Sequence, residues 1–479
     1  MILRCCISLL LFSTFAGCYN GNKIQKGRYD IKFDPGKFTE QTITVHGRHI
    51  QIRAYENIMY VRNPADTTYQ VMNIYIPSAY FSKGTIEGFT ASTAPVFFPN
   101  MVGGFMPAKP GTAINAKNKD GKNPSAIALA LSKGYVVASA GARGRTTKAG
   151  KAPALIVDLK AAVRYLKYND KVMPGDADKI ISNGTSAGGA VSVLLGATGN
   201  NKDYEPYLKA LGAADASDDI FAVSAYCPIT NLDNADMAYE WQFYGINNYD
   251  WGWNDNRGTL NAAQQKVSAT LRSMFPGYVN ALRLKNKEGH YLRLDENGNG
   301  NFKELVKAYL IASAQKAMDA GWDMRPHSFV RVSNGKVTGI DFDGYIKHIG
   351  RMKTPPAFDA LNLMSAENQL FGDSLTGKKH FTRFSFSNTT AGGSIADTAI
   401  VKMMNPMYYV GTRGTTVSKH WRLRHGTQDK DTGLAISVML ATLLENNNYN
   451  VNLELPWEVP HSGDYDLEEL FTWMKSIAE

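Results

Sequence analysis

Ser186 stands in a pentapeptide, GTSAG at residues 184–188, whose composition suits a serine nucleophile. A short apolar run, residues 179–182, precedes it and is typical of a strand. A segment of small and apolar residues, 189–195, follows it and is typical of a buried helix. G-x-S-x-G between a strand and a helix predicts a turn so sharp that the serine Oγ stands exposed. The chemistry indicated is nucleophilic catalysis.

Backbone amides near this serine could stabilise an oxyanion. The amide of Ala187 opens the following helix and would point toward an oxyanion formed at the serine. A second donor is expected after the buried strand at residues 94–99, where the chain enters a loop with a glycine pair. Any amide of residues 102–105 could serve, and we name Gly103 and Gly104. A merely flexible turn is the alternative interpretation.

Two histidines compete for the role of the base that activates this serine. His461 follows a strand-like segment, residues 451–457, and precedes the start of a helix, so it would lie at the carboxyl edge of the sheet beside Ser186. His425 follows another strand-like segment, residues 421–424. We predict that His461 is the base and that His425 is structural, forming hydrogen bonds within its own turn. An ordinary surface position for His461 is the alternative.

Asp429 and Asp431 are the candidates for the carboxylate that would orient the base. Asp429 completes the sequence HGTQD, residues 425–429, whereas Asp431 lies near the start of the next helix, where an acid can simply complement the helix dipole. We predict that Asp429 orients His461. The resulting order of serine, aspartate and histidine along the chain is that of α/β-hydrolases.

Strand-like and helix-like segments alternate around these residues. Apolar runs and period-2 patterns predict the strands, and an amphipathic pattern predicts a helix from Ala154 to Tyr168. This alternation predicts an α/β fold, the α/β-hydrolase fold, with a mostly parallel central sheet flanked by helices. Between residues 230 and 400 helices and aromatic loops replace buried strands, which predicts a large inserted lid domain. The strand-like segments are 43–45, 50–55, 69–77, 94–99, 134–140, 179–182, 220–228, 421–424 and 451–457.

The N-terminus has the pattern of a secretory signal. Arg4 precedes an apolar run, residues 5–15, that is too short to span a bilayer. FAGC at residues 15–18 resembles a bacterial lipobox, which would make Cys18 the lipidated first residue. An ordinary signal that leaves Cys18 as a free thiol is the alternative. We expect an exported protein of the bacterial cell envelope, attached to the membrane through an N-terminal lipid, or otherwise a secreted one.

Length and composition agree with a large folded enzyme. The 479 residues, 44% hydrophobic and 20% charged, can bury a sizeable core. The net charge of +9 is dispersed along the chain, which indicates a solvated surface and no nucleic-acid partner. The predicted organisation is a signal peptide at 1–17, a tether at 18–40, the core at 41–229 and 401–479, and the lid at 230–400.

One segment has part of a calcium-loop pattern. DENGNGNF at residues 295–302 places oxygen ligands at alternate positions, but Val306 occupies the position of the bidentate glutamate. A glycine-rich turn is therefore favoured, and whether this loop binds calcium stays open. No metal site and no cofactor form part of the prediction.

Three motifs together give the chain a specific resemblance. NGTSAGG at 183–189, RHGTQDKDT at 424–432 and HSGDYD at 461–466 resemble bacterial tannases of subtype B, and the similarity extends from about Phe38 to the C-terminus. That family has an α/β-hydrolase fold with a large lid and cleaves galloyl esters of tannins and simple gallates. The resemblance implies a catalytic triad of Ser186, Asp429 and His461.

The resemblance also implies a binding set for the three hydroxyl groups of the galloyl ring, formed by Lys353, Glu367 and Asp431. Carboxylates and an ammonium group can pair every hydroxyl of a vicinal triphenol, and a ring that lacks one would leave a buried charge unpaired. Without the resemblance, Lys353 and Glu367 would be interpreted as solvated surface charges.

One departure separates this chain from a neighbouring group. Fungal-type tannases and feruloyl esterases carry a disulfide between cysteines adjacent to the catalytic serine and histidine. Here Thr185 precedes Ser186 and Pro460 precedes His461, which indicates the bacterial branch.

Two other functions stay open. A feruloyl or other phenolic-acid esterase is the alternative enzyme, and a catalytically inactive surface lipoprotein that binds polyphenols or glycans is the alternative of another class. In the favoured interpretation the partner is a small phenolic ester. The oligomeric state and the preference between gallate esters and gallotannins stay open.

Overall fold

The computed structural model describes residues 28–114, 124–252 and 256–479. The predicted signal peptide at 1–17, the proposed lipidation site Cys18 and residues 19–27 of the predicted tether lie outside the described residues. Within the described ranges, no helix has both the length and the apolar character needed to cross a bilayer.

Nine strands form one central sheet with the order β1-β2-β3-β5-β4-β6-β7-β12-β13. The two pairs β8–β9 and β10–β11 form separate antiparallel hairpins. Each strand-like segment predicted from the sequence falls on a strand of the central sheet. The strands are β1 (Thr39–Val45), β2 (Arg48–Met59), β3 (Val71–Pro77), β4 (Pro95–Pro99), β5 (Val136–Ala140), β6 (Asp176–Thr185), β7 (Ala222–Tyr226), β8 (Asn248–Asp250), β9 (Arg257–Thr259), β10 (Val330–Ser333), β11 (Lys336–Ile340), β12 (His420–Arg424) and β13 (Asn450–Glu454).

The sheet is mostly parallel. Strands β5, β4, β6, β7, β12 and β13 pair in parallel, whereas β1, β2 and β3 pair antiparallel with their neighbours, including β3 with β5. Parallel neighbours end at the same edge, so the loops that follow β4, β6, β7, β12 and β13 converge there. The predicted α/β-hydrolase architecture is confirmed in this respect.

The helices cover the sheet and form most of the inserted part. Those predicted around residues 154–168 and 189–195 are both present. The helices are α1 (Ala126–Ser132), α2 (Ala154–Asn169), α3 (Ala187–Ala197), α4 (Glu205–Leu211), α5 (Leu232–Phe243), α6 (Ala262–Leu282), α7 (Asn301–Asp319), α8 (Phe342–Ile349), α9 (Ala366–Leu370), α10 (Arg383–Ser387), α11 (Thr398–Met403), α12 (Leu434–Asn446) and α13 (Leu467–Ala478).

A long stretch of chain separates β7 from β12. We call residues 227–419 the inserted segment; it contains α5 to α11 and both hairpins. Aromatic rings give it a packed interior, because Trp241 lies 5.3 Å from Phe275 and 5.5 Å from Phe342 between ring centroids. The lid limits predicted from the sequence, 230 and 400, both fall inside this segment.

The folded body begins earlier than the predicted tether allows. Ile31 and Phe33 are buried in the main core, the amide of Phe33 donates to Asn169 Oδ1 at 2.8 Å, and β1 starts at Thr39. Residues 28–40 therefore belong to the core and not to the tether of residues 18–40. The polar composition of this stretch concealed two buried apolar residues whose backbone is bonded to Asn169 at the end of α2.

Helix α2 is buried on nearly every face, although its sequence predicts an amphipathic helix. Its polar residues find buried partners: Asp158 pairs with Arg143 at 2.7 Å, and Lys160 pairs with Asp218 at 2.7 Å. Buried charges require such pairing. The polar face that suggests solvent contact is instead covered by the loops that supply these partners.

Candidate active site

Ser186 occupies the predicted sharp turn between β6 and α3. Its backbone has φ 61° and ψ −123°, a left-handed conformation that is costly for a residue with a side chain. The turn requires glycine on both sides: a Cβ at Gly184 would lie 2.3 Å from the carbonyl oxygen of Gly188, and a Cβ at Gly188 would lie 2.6 Å from Asn100 Oδ1. The side chain of Ser186 is only half-buried, as a nucleophile requires.

The loop after β4 is held against the start of α3 by Asn100. Asn100 Nδ2 donates to the carbonyls of Gly188 at 3.0 Å and Asn183 at 3.1 Å, and its Oδ1 accepts from the amide of Val102 at 3.3 Å. This side chain fixes the loop to the sharp turn at Ser186. The amide of Val102 is thus occupied and is a poorer oxyanion donor than those that follow it.

Gly103 and Gly104 lie in the exposed part of this loop. The carbonyl of Gly103 accepts from the amide of Met106 at 2.9 Å, and the carbonyl of Gly104 accepts from Arg145 Nε at 2.7 Å. The peptide groups that follow Gly103 and Gly104 are therefore fixed through their oxygens. The amides of Gly103 and Gly104 and that of Ala187, at the start of α3, stay the predicted oxyanion donors.

Asp429 and His461 form the contact predicted for an acid and a base. Asp429 Oδ2 lies 2.8 Å from His461 Nδ1, and Asp429 is fully buried whereas His461 is partly exposed. Burial alone would raise the pKa of Asp429, but the two neighbouring histidines bring it below its ordinary value. Burial lowers the pKa of His461, but the hydrogen bond and charge of Asp429, together with the contact with Cys227, outweigh this and raise it. An ionised Asp429 therefore orients the ring of His461.

His425 lies behind this pair and has no route to solvent. Its ring is fully buried, its Nε2 is 3.7 Å from Asp429 Oδ2, and burial lowers its pKa. Its Nδ1 lies 2.9 Å from Ser437 Oγ on α12. The predicted structural position is thus observed, but its hydrogen bond reaches a neighbouring helix and not its own turn.

Ser186 and His461 lie on adjacent segments without a direct hydrogen bond between their side chains among the described residues. His461 Nε2 is 4.0 Å from the thiol sulfur of Cys227. The backbone around Cys227 is in turn bonded to the serine, because the carbonyl of Tyr226 accepts from the amide of Ser186 at 2.9 Å. Catalytic hydrogen bonds often tighten only when substrate binds. The structure thus places the predicted base, His461, beside the turn that carries Ser186. We expect the hydrogen bond between the two side chains to form when substrate binds.

Asp431 connects the base to the inserted segment. Its Oδ2 lies 3.7 Å from His461 Nδ1, and its Oδ1 lies 3.3 Å from Lys353 Nζ. The side chain of Lys353 is 8% exposed, and its ammonium group lies 4.2 Å from the centroid of the Phe358 ring. Lys353 is therefore not a solvated surface charge.

Glu367 belongs to the same electrostatic group. It lies in the first turn of α9 and is half-buried. Burial raises its pKa, while the positive charges of Lys353 and Arg145 oppose that rise. The structure thus brings together all three residues of the predicted ring-binding set, two from the inserted segment and Asp431 from the core.

Two further residues of this region were missed in the sequence. The hydroxyl of Tyr239 donates to the carbonyl of Lys430 at 3.0 Å and accepts from the amide of Lys353 at 2.9 Å, which fixes Lys353 to the loop of Asp431. Arg145 contacts both Gly104, on the oxyanion loop, and Gln369 of α9. Neither has a local sequence signal.

The calcium-like loop is a tight turn. Asp295 Oδ1 accepts from the amides of Asn297 and Asn299, both at 2.9 Å, and Gly298 adopts a φ of 74°. The carboxylate that would begin a calcium loop is thus bonded to the backbone of its own turn. This agrees with the glycine-rich turn favoured from the sequence.

Comparison with known proteins gives a consistent result. A family model described as BD-FAE matches residues 110–280. No curated protein matches. Among solved structures, the chain is similar to Fusobacterium nucleatum tannase, with 48% identity, a TM-score of 0.91, and coverage of 94% of this chain and 100% of that one.

Two further structures show the same likeness. They are the native tannin acyl hydrolase from Lactobacillus plantarum and a tannin acyl hydrolase in complex with ethyl gallate; each has 45% identity, a TM-score of 0.90, and coverage of 94% of this chain and 99% of its own. Such identity over nearly the whole length exceeds what a shared fold alone requires, so this chain belongs to the bacterial tannase family of carboxylic ester hydrolases, with the α/β-hydrolase fold.

Proposed function

We propose that this protein hydrolyses the galloyl ester bonds of gallotannins and simple gallate esters and releases gallic acid. One observation carries the proposal: Asp431 contacts both His461, the predicted base, and Lys353, a predicted ligand of the galloyl ring. A ring bound by these charges would therefore hold its carboxyl carbon close to the catalytic groups. A tannin acyl hydrolase of 45% identity has been solved in complex with ethyl gallate, itself an ester of this class.

The mechanism we propose is acyl transfer through Ser186. His461 Nε2 removes the hydroxyl proton while Oγ forms a bond to the ester carbonyl carbon. The amide of Ala187, with that of Gly103 or Gly104, donates to the oxyanion. Collapse of this intermediate breaks the bond to the alcohol, which leaves with the proton held by His461. Water then attacks the galloyl-enzyme by the same steps in reverse, which frees gallic acid and Ser186.

Recognition of the acyl group would depend on charge pairing in a poorly solvated site. The three ring hydroxyls can donate to Asp431 and Glu367 and accept from Lys353. A feruloyl ring carries one hydroxyl and one methoxy group in place of three hydroxyls. It would therefore offer two hydrogens fewer and would leave a carboxylate without its partner, which is costly when the group is buried. This difference favours galloyl over feruloyl esters.

Matched methyl esters test the substrate class. We expect faster release of gallate from methyl gallate than of ferulate from methyl ferulate, measured as kcat/KM with p-nitrophenyl acetate as a reference for ester chemistry alone. A preference for methyl ferulate would instead indicate the phenolic-acid esterase. A folded protein that binds gallates but releases none would indicate the inactive lipoprotein.

The nucleophile is tested by substitution and labelling. Ser186→Ala should abolish hydrolysis of every ester while preserving the circular dichroism spectrum. A serine-directed phosphonate should label Ser186 in the wild type and fail to label His461→Ala. Ser476→Ala, on the exposed side of α13, is the matched control and should label and turn over as the wild type does. Substantial turnover by folded Ser186→Ala protein would contradict the mechanism.

We also propose export and lipid anchoring through Cys18, which rests on the sequence pattern of residues 1–18. The full-length chain expressed in a bacterial host should incorporate labelled palmitate and fractionate with membranes. Cys18→Ala should lose the label. A Cys18→Ala chain that keeps the label would contradict the anchor.

A further inference from the structure

Three side chains that commonly bind metals meet outside the catalytic groups. His327, His348 and Glu458 each direct one ligand atom into a common space, and these atoms lie within 4.8 Å of one another. His348 Nε2 is 3.2 Å from Glu458 Oε1, and His327 Nδ1 is 3.9 Å from the same oxygen. Neither histidine is required by the proposed ester hydrolysis.

His327 supplies the least ordinary feature of this cluster. The residue is 9% exposed, and its ring lies 5.3 Å from that of Trp457 and 5.7 Å from that of Phe329 between centroids. Its Nδ1 is buried and has no hydrogen-bond partner among the described residues. A buried polar atom without a partner is uncommon in native structures, and a bound ion or water is one explanation for it. Here the atom is directed toward Glu458.

Hydrogen bonds position the other two side chains, His348 and Glu458, which are partly exposed to solvent. Gln428 Nε2 lies 2.8 Å from His348 Nε2 and donates to Glu458 Oε2 at 2.7 Å. The side chains of His348 and Glu458 are 33% and 20% exposed, so an ion could enter from solvent. It would replace the amide of Gln428 at His348 Nε2. Gln428 could keep its hydrogen bond to the carboxylate and orient it, as outer-shell partners do in metal sites.

We propose that His327, His348 and Glu458 form a binding site for one divalent transition-metal ion of the zinc class. Two imidazole nitrogens and one carboxylate oxygen, with water at a fourth position, form a common tetrahedral zinc set. Ligand atoms about 2.0–2.2 Å from such an ion lie roughly 3.3–3.6 Å from one another. The two separations from Glu458 Oε1, 3.2 and 3.9 Å, are close to this. Magnesium and calcium prefer oxygen ligands and do not fit two imidazoles.

The position of the site would let a bound ion connect two parts of the chain. His327 and His348 belong to the inserted segment, whereas Glu458 follows β13 and precedes His461 by three residues. A bound ion would therefore cross-link the inserted segment to the loop that carries the predicted base. An ion that binds only the folded chain must also stabilise it by mass action.

Direct binding of zinc is the first test. The full chain, freed of metal by dialysis against a chelator, should bind one Zn²⁺ per chain in calorimetry. Its thermal midpoint should rise with zinc concentration. Co²⁺ in place of Zn²⁺ should give the visible absorption of a tetrahedral nitrogen–oxygen site. Binding of several ions per chain with no effect on the thermal midpoint would overturn the proposal.

Variants locate the ion. Loss of an outer-shell partner costs metal sites about 10- to 100-fold in affinity, so His348→Ala or Glu458→Gln should weaken zinc binding at least about 100-fold. His290→Ala, an exposed histidine elsewhere in the inserted segment, is the matched control and should bind zinc normally. His348→Ala changes a partly exposed side chain and decides the test if Glu458→Gln fails to fold.

One competing location must be separated from this site. Cys227, Asp429 and His461 also bring three ligand atoms within 4.8 Å of one another in the candidate active site. His461→Ala should therefore retain full zinc affinity. The proposal is overturned if His461→Ala loses zinc binding while folded His348→Ala keeps it.

Discussion

Lys353 of the inserted segment lies 3.3 Å from Asp431 of the core, measured from Nζ to Oδ1. The ammonium group lies over the ring of Phe358, and the amide of Lys353 is held by the hydroxyl of Tyr239. The lysine thus has its ammonium group and its backbone fixed by separate contacts. Such preorganisation means that little conformational entropy is lost when a ring hydroxyl binds it.

Substitution of Lys353 should remove selectivity for galloyl esters and leave the ester chemistry intact. Truncation of one partner in a buried, charged hydrogen bond typically costs about 2 to 5 kcal/mol, or roughly 30- to several-thousand-fold in affinity. We therefore expect Lys353→Ala to lower kcat/KM for methyl gallate at least tenfold. Hydrolysis of p-nitrophenyl acetate, which has no galloyl ring, should stay near that of the wild type.

Lys336→Ala is the matched control for this variant, because Lys336 is an exposed lysine of the same inserted segment. It should change neither rate. Loss of both activities in Lys353→Ala would indicate a role in folding or in docking the inserted segment. Loss of neither would return Lys353 to the status of a surface charge.

Asp429 and Asp431 should separate into an orienting role and a ring-binding role. The hydrogen bond of 2.8 Å from His461 Nδ1 goes to Asp429, whereas Asp431 lies 3.7 Å away and faces Lys353. Loss of the orienting carboxylate in a serine triad costs about 10⁴ in kcat, because the imidazole takes the wrong tautomer. Asp429→Asn should lower turnover of all esters by this order.

Asp431→Asn should instead discriminate between substrates, with a large loss on methyl gallate and a small one on p-nitrophenyl acetate. The two variants serve as controls for each other, because the side chains lie two residues apart on one loop. A loss on the acetate ester as large for Asp431→Asn as for Asp429→Asn would contradict this division of roles.

The pH dependence should report the charge on His461. The neutral imidazole is the form that can accept the serine proton, so activity must fall as pH drops through the pKa of the histidine. Asp429 raises that pKa against the effect of burial. The midpoint of the acid limb of kcat/KM should therefore lie above the ordinary histidine value of about 6.5.

Asp429→Asn removes the carboxylate charge, and the same midpoint should then move to lower pH. The rate of phosphonate labelling of Ser186 measures this in the slow variant, where turnover is too low for a full profile. A midpoint that stays unchanged would show that Asp429 does not set the charge state of His461.

Local sequence was sufficient to predict the elements that carry Ser186, Asp429 and His461. Ser186, Asp429 and His461 each follow a strand. Parallel strands bring their carboxyl ends to one edge of the sheet. The apolar patterns were therefore enough to predict the sheet and the proximity of loops that are far apart in the sequence. They could not reveal the contact between His461 and Cys227, because nothing in the local pattern around Cys227 indicates which loop will cover it.

The ring-binding set illustrates what local pattern cannot provide. Lys353 and Glu367 lie in loops and a short helix whose positions depend on contacts with α5 and the core, such as that of Tyr239. Their identification came from resemblance to a family and not from periodicity. The prediction that α2 is amphipathic is wrong for a related reason, because the partners that bury Asp158 and Lys160 lie far along the chain or in loops.

The buried ion pair between Arg351 and Glu240 should control the stability of the inserted segment. Arg351 Nη1 donates to Glu240 Oε1 at 2.9 Å and Nη2 donates to Oε2 at 2.5 Å, with both side chains fully buried. Arg351 Nη1 also donates to the carbonyl of Lys353 at 3.2 Å. The pair therefore supports the backbone of a predicted substrate ligand as well as the packing of α5.

Arg351→Met should destabilise the protein strongly, because it leaves the carboxylate of Glu240 buried without its counter-charge. Breaking a buried pair on one side costs about 3 to 5 kcal/mol, whereas replacing both partners with groups of similar volume can be nearly neutral. We expect a large drop in the denaturation midpoint for Arg351→Met and partial recovery in the double variant Glu240→Gln/Arg351→Met. The measurement is denaturant unfolding followed by tryptophan fluorescence, to which Trp241 of the inserted segment contributes.

Arg325→Met is the matched control, since Arg325 pairs with Asp323 at 2.8 Å in full contact with solvent. Exposed pairs are screened by water and contribute little, so its midpoint should stay close to that of the wild type. Equal midpoints for Arg351→Met and Arg325→Met would contradict the prediction. A double variant no more stable than Arg351→Met would mean that the loss comes from the packing of the arginine side chain, because an uncompensated Glu240 charge would be relieved by the second substitution.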